Sequence, residues 1–582
     1  RQDTTIKVQQ SSKDTINKIK KIHHWIDGLI FKNTDSKNDD LRSLSFQYST
    51  LESNRGKTIV SIHYQELDPF GPDFMDTTKV ARTKLGRLGN RIHTNTRLNR
   101  IKKNVFIKEG DKLNVKEILE NERIIRSLPY IEDVRFFAIG NKTDTTKVDI
   151  LLITKDVFSF GVGGHFSSTK SATYKIYNQN LFGLGHQITL KVVNNIEEKP
   201  HIGIEGIYSI KNICSRFFDI TVGYSNTYKK EGFYFNLDKE FLFSTTKWGG
   251  GLSGFRMTRA ENIIDYDDLI TDDIPLNYKL GDTWLGYAFL LNKQNSMKRM
   301  QLVLAARYCN LNFYDRSPLL DKEYYSNSNL FLGSISFSKR NYVRDYLIYS
   351  YGITEDIPKG CLNEFVFGYD NNEFIKRWYM HLYLSTSNLF PYSPSYLYVS
   401  AGLGSFYNSN KLEQGLFETH ISYISRLIPM GRQKLRQFVH IDYMTGIKRF
   451  DNEKLYLKND LGIRGMHSNE ITGNRRLYLN SESVVFQKKA IADFHIAFFG
   501  FFDCGFIGSK NKLILAQNFY SGFGFGIRLR NENLVFRTLQ LRLGFYPNYP
   551  SDSHFLEVYF AEMNTMKFPS FQPREPEILR FK

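Results

Sequence analysis

Val157-Phe158-Ser159-Phe160-Gly161-Val162-Gly163-Gly164-His165-Phe166 is the stretch at which the character of the chain changes. Phe158, Phe160, Val162 and Phe166 are all an even number of residues apart, so an extended backbone sets them on one face. The same texture continues to about Met563, as short alternating segments separated by Gly, Asn, Asp, Ser and Lys turns. Residues 171–182, 186–195, 201–209, 215–226, 231–244 and 246–258 read as the next strands. Evenly spaced turn signals between half-apolar strands are what an all-β barrel requires. The pattern yields roughly fifteen strands before Gly462 and five after Gly473, about twenty in all; single-chain barrels in membranes have an even number.

Composition agrees with many two-faced strands. The 582 residues include 47 Phe and 35 Tyr, yet mean hydropathy is −0.38. Aromatic-rich but polar-average chains suit strands with one apolar and one polar face. No uninterrupted apolar run reaches the roughly 18–20 residues a spanning helix needs. A closed barrel is the other structure that satisfies every backbone group in lipid. The net charge of +18 comes with no zinc spacing and no RNA-binding aromatic signature, so nucleic acid is not an expected partner. Anionic lipid headgroups or acidic polypeptides fit the charge as well. Cys214, Cys309, Cys361 and Cys504 lie far apart, give no metal-ligand spacing and allow at most a sparse disulfide framework. No signal peptide is visible at Arg1, so an exported protein is expected here in mature form.

Ahead of the strands, residues 1–56 read as a polar N-terminal segment. Ile16, Ile19, Ile22, Ile26, Leu29 and Ile30 predict an amphipathic helix over roughly 13–31, with a linker from Asn33 to Asp40. Residues 57–155 read as one α+β domain. Thr58 to Tyr64 is a strand, and Lys84 to Lys103 is mainly helical. A helix follows, with Asn114 as N-cap and Glu117 at its third position. Two strands, Val134 to Ile139 and Val148 to Ile153, flank a polar turn. The barrel is expected over 156–563. Residues 564–582 carry Pro569, Pro573 and Pro576, cannot continue a ladder, and read as an extended tail.

Two constellations carry a family resemblance. Gly462-Ile463-Arg464-Gly465-Met466 resembles the [VI]-R-G-[FY] motif in the large inward-folded loop of BamA/TamA-type outer-membrane barrels. Phe501-Phe502-Asp503-Cys504-Gly505 resembles the F-x-D-x-G motif of a later barrel strand in that superfamily, and Gly524-Phe525-Gly526-Ile527-Arg528 looks like the family too. Residues 57–155 resemble a single POTRA domain, the β-α-α-β-β module that precedes these barrels. Leu88 to His93 with Thr96-Arg97 is similar to members from Bacteroidota. The resemblance implies a transmembrane antiparallel β-barrel in the bacterial outer membrane, sixteen-stranded by the family norm, with the POTRA-like domain in the periplasm. Met466 in place of an aromatic, a single POTRA-like domain and a Pro-bearing tail depart from the pattern.

A long loop over a wide barrel needs an anchor, because ordering it costs entropy. Arg464 to Asp503, with Glu482 as second acceptor, is the expected charge-assisted anchor. Gly465 allows a turn or close approach, and Gly505 leaves room beside Asp503. The function expected first is assembly of outer-membrane proteins through a weak seam between the first strand, marked by Phe158, Gly161, Gly163 and Gly164, and a short last strand near His554 to Glu562. The glycines have an equal alternative reading as packing space beside bulky wall residues. A two-partner-type secretion pore plugged by helix 13–31 is the second expectation, and a passive channel or scaffold subunit the blandest. Expected partners are unfolded outer-membrane or secreted clients, membrane lipids and accessory subunits. No G-x-S-x-G, H-E-x-x-H, P-loop or clustered metal ligands occur, so neither catalysis, a metal nor a cofactor is expected.

Overall fold

The computed structural model describes residues 39–562 and 568–582 apart from short segments, the longest being 317–324. The helix expected at 13–31 lies outside the described residues. The chain divides into two compact units, Arg1–Val157 and Phe158–Lys582.

The first unit contains α1 (Asp39–Ser53), β1 (Thr58–Leu67), α2 (Lys84–Ile92), α3 (Leu98–Lys102), α4 (Val115–Arg126), β2 (Ile131–Gly140) and β3 (Lys147–Asp156). Its sheet runs β1-β3-β2, with β1 parallel and β2 antiparallel to β3. The Asn114 side chain accepts from Lys116 N at 3.2 Å and starts α4, as the sequence predicts. Val115, Ile118 and Ile125 then enter a core with Ile59, Val134, Phe136 and Ile150. Asp39–Ser53 is helical although the expected linker runs to Asp40, and Leu51 of α1 is fully buried in that same core. Serines and glutamine dilute the apolar period of α1, so the sequence does not announce it. Burial of Glu122 on α4 is offset by Gln47 at 2.7 Å and Arg126 at 2.8 Å, and Arg126 also holds Asp133 at 2.7 Å.

The second unit is one antiparallel sheet. It begins with β4 (Phe160–Ser168), β5 (Ser171–Leu181), β6 (His186–Asn195), β7 (Ile202–Ile213), β8 (Phe218–Thr227) and β9 (Lys230–Lys239). Longer strands follow: β10 (Trp248–Ile264), β11 (Thr271–Leu290), β12 (Arg299–Asp315), β13 (Ser328–Asp345), β14 (Glu355–Asn372), β15 (Lys376–Phe390) and β16 (Ser393–Asn408). β17 (Lys411–Ile424) and the short β18 (Ile428–Met430) both pair with β19 (Gln433–Ile447) and together fill one position. A two-residue ladder, β20 (Leu455–Tyr456) with β21 (Thr472–Gly473), stands apart from the sheet. β22 (Arg475–Phe486), β23 (Phe494–Gly508), β24 (Asn518–Asn531), β25 (Leu539–Phe545) and β26 (Leu556–Glu562) complete it.

Among the described residues the sheet therefore has twenty strand positions, fifteen before Gly462 and five after Gly473. The family norm of sixteen does not hold here, because every alternating segment between turn signals becomes a strand. One segment is shorter than its sequence suggests. β9 stops at Lys239, and Phe241 turns inward, fully buried against Trp284 and Val303, with its carbonyl held by Arg340 at 2.9 Å.

Pleating sorts the two faces. On β13, Ser334, Ser336, Ser338 and Arg340 are buried on one face while Phe331 and Ile335 are exposed on the other. β15 exposes Trp378, Met380, Leu382 and Leu384, and β23 exposes Phe498 and Phe502. Exposed aromatic and aliphatic residues on one face and buried polar residues on the other are the pattern of a lipid-facing barrel wall.

β26 lies beside β4, which brings the strand order round to its start. The contact between β26 and β4 is far slighter than that between any other two full strands of the sheet.

Candidate functional site

The chain between β19 and β22 folds inward over the polar face. Its neck is the β20–β21 ladder, pairing Leu455 with Gly473 and Tyr456 with Thr472. A single 3-10 turn, Asn459–Leu461, follows. Leu457, Ile463, Met466 and Ile471 are buried together with Met444, Ile507 and Tyr546 of the wall. Met466 thus fills an apolar cluster, a task its flexible side chain suits as well as a ring would.

Between these apolar anchors Arg464 points at the wall. Its Nε donates to Asp503 Oδ2 at 2.9 Å and its Nη2 to Asp503 Oδ1 at 2.7 Å, a side-on bidentate pair. Its Nη1 donates to Glu482 Oε2 at 2.5 Å, and its backbone N–H to Asp503 Oδ2 at 3.0 Å. The guanidinium sits 4.8 Å from the centre of the Phe501 ring. Register explains the convergence. Glu482 faces Phe501 across the β22–β23 ladder, and Asp503 is two residues further on the same face.

The charges balance. Asp503 is fully buried and Glu482 nearly so. Arg528 of β24 supplies the second cation, 2.8 Å from Glu482 Oε1. Two carboxylates thus meet two guanidinium groups, which buried ions need. Arg528 belongs to the Gly524–Arg528 run, but its role on Glu482 is not readable from spacing. Tyr546, which donates to Arg464 O at 2.6 Å, and Asn480, which donates to Gly462 O at 2.8 Å, carry no sequence signal at all.

Gly465 adopts φ +87°, and an added Cβ would come within 2.1 Å of Tyr546 Oη and 2.4 Å of Glu557 Oε2. Both the backbone angle and the close approach demand glycine. At Gly505 the free space is taken by Leu457 of the loop, whose Cδ1 would lie 2.8 Å from an added Cβ.

At the seam, Phe160 and Val162 are exposed on the outer face, and Phe158 stands just ahead of β4, partly buried. β4 pairs well with β5, Gly161 facing Tyr177 and Gly163 facing Lys175. An added Cβ at Gly161 would strike the Tyr177 ring at 2.1 Å, and one at Gly164 the Thr173 carbonyl oxygen at 2.3 Å. Those two glycines provide packing room against β5.

No family model matches the chain, and no curated protein does. Among solved structures, it is similar to CdiB from Acinetobacter baumannii with TM-score 0.42 and 11% identity over 87% of this chain and 73% of that one. It is similar to BamA from Haemophilus ducreyi lacking POTRA domains 1-3 with TM-score 0.34 and 10% identity over 87% and 84%. For CdiB from Escherichia coli the values are 0.36 and 12% over 87% and 76%.

Proposed function

We propose that this chain is an outer-membrane protein assembly factor of the BamA/TamA superfamily. The observation that carries the reading is the seam: β26 and β4 close the strand order over far fewer residues than any other two full strands of the sheet. Unpaired strand edges are templates for strand addition. A client strand adds to β4 or β26, and successive hairpins follow it into the lipid without covalent chemistry. The Arg464 loop supports the reading by bracing β22, β23 and β24 from inside, so that opening is confined to the seam. The first unit, read as a POTRA domain in the periplasm, offers the edge strands β1 and β2 to extended clients by the same edge pairing.

A secretion pore is the second reading, favoured by the serine-lined inner face of β13. The test is a panel of cysteine pairs between residues 160–164 of β4 and 556–560 of β26, in a background without the native cysteines. Locked protein in liposomes is expected to stop folding an outer-membrane client, with recovery on reduction. Normal folding by the locked protein overturns the seam mechanism.

A further inference from the structure

Residues 568–582 follow β26 and form no strand, yet they are not a free tail. Phe571 is fully buried, and Gln572, Pro573 and Pro576 are buried with it. Their surroundings are inner-face residues. Ser338 Oγ donates to Phe571 O at 2.6 Å, and the Phe571 ring lies 5.9 Å from that of Tyr398. Gln572 Nε2 donates to Glu240 Oε2 at 2.8 Å, beyond the end of β9. Arg307 Nη1 on β12 donates to Pro576 O at 2.8 Å. The segment then turns back. Leu579 N donates to Tyr379 Oη at 2.8 Å, and Phe581 lies 4.5 Å from the Arg449 guanidinium, just past β19.

β9 and β19 are nine positions apart in a sheet of twenty, so the segment reaches nearly opposite walls. The wall is shaped for it. Gly402 and Gly404 leave room for Leu579, and Gly446 for the Phe581 ring. The three prolines suit this role, since they favour an extended backbone and cannot join the ladder. Wall side chains therefore take over the backbone bonding that a strand would have made. Barrels of sixteen or more strands enclose a lumen wide enough to conduct water and solutes unless something fills it.

We propose that the inner wall is a binding site for an extended, proline-bearing aromatic peptide, and that residues 568–582 are its resident occupant, stopping the lumen. The inference rests on the barrel reading above and not on the opening of the seam. Phe571 and Phe581 are the anchors. Tethering keeps the segment at a high effective concentration, so it is bound most of the time and still displaceable.

The test starts from the folded full chain carrying a protease site within 563–567, so folding precedes the cut. After cleavage, retention of the fragment through gel filtration is expected, or its loss with a several-fold rise in conductance in planar bilayers. Where it is lost, a labelled synthetic peptide of residues 568–582 is expected to rebind saturably and to lower the conductance again. The same peptide with Phe571→Ala is expected to bind about thirtyfold more weakly, as loss of one buried aromatic anchor implies. A scrambled peptide should not bind. Loss of the fragment without saturable rebinding overturns the proposal, whatever the conductance does. Equal binding of the Phe571→Ala peptide overturns it too. The seam lock reads client folding instead, so its failure and the failure of this inference are separate results.

Discussion

Arg464→Ala removes the guanidinium that faces Asp503 and Glu482. Glu482 keeps Arg528 at 2.8 Å, whereas Asp503 is fully buried and keeps from that loop only the backbone N–H of residue 464, at 3.0 Å. Breaking one side of a buried ion pair costs about 3–5 kcal/mol. The loop has little reserve against such a loss. Leu457, Ile463 and Met466 each contribute roughly 1.5–3 kcal/mol by burial. Ordering each loop residue costs about 1–2 kcal/mol. The predicted outcome is release of the loop between the β20–β21 neck residues, with the sheet intact. Hydrogen exchange in detergent reads this directly: amides of residues 457–471 should exchange about 100-fold faster or more, since 1.4 kcal/mol is a factor of ten. Amides of β12 to β15 should be unaffected. Asp503→Ala should do the same, and the double variant should fall short of the sum by about 1–3 kcal/mol. Unchanged exchange in Arg464→Ala, or single effects that add within about 0.5 kcal/mol, would refute the anchor.

Gly465→Ala should lower the thermal midpoint of the barrel on semi-native electrophoresis, at a cost of about 1–3 kcal/mol from the positive φ and the contact with Tyr546. Phe502→Arg places a charge on the exposed face one residue from Asp503, and at the bilayer midplane it should cost roughly 2–4 kcal/mol and reduce insertion into liposomes. In the first unit, burial, and then the charge of Asp156, raise the Glu66 carboxyl to about 7. A raised folded pKa means stability that is present below the unfolded value and lost as pH rises through the folded one, here between about 4.5 and 7. Glu66→Gln should therefore slow exchange of β1 and β3 amides at pH 8 by about 1–2 kcal/mol after allowance for solvent screening, with no gain at pH 4, intrinsic rates being corrected. Asn114→Ala should cost about 1 kcal/mol in α4 protection, and Asn114→Ser much less.

Local pattern made much of this molecule legible. A two-residue period is a property of each strand alone, so the alternation of Phe331, Ile335 and Ser336 marks both the strand and its faces before any neighbour is known. The same holds for the number of strands and for the Asn114 cap. Arg464 and Asp503 were legible as candidates through the resemblance of their two motifs to a family, which implies an inward loop, and an inward arginine needs an acid, with Glu482 as the second acceptor. Other features depend on which distant segments meet. Arg528 and Tyr546 complete the Arg464 site only because β22 to β25 are laid side by side in one register. Leu51 reaches the core of the first unit through a helix whose own period is weak.

What the sequence by itself determined, then, is a chain of two-faced strands behind a small α+β unit, because period, capping and turn chemistry act over a few residues. Tertiary structure alone decided that β26 meets β4 over so short a contact and that residues 568–582 lie against the inner wall. Both outcomes arise from how the strands at the two ends of the sheet and the segment beyond them meet the rest of the wall, a condition that no window of sequence contains.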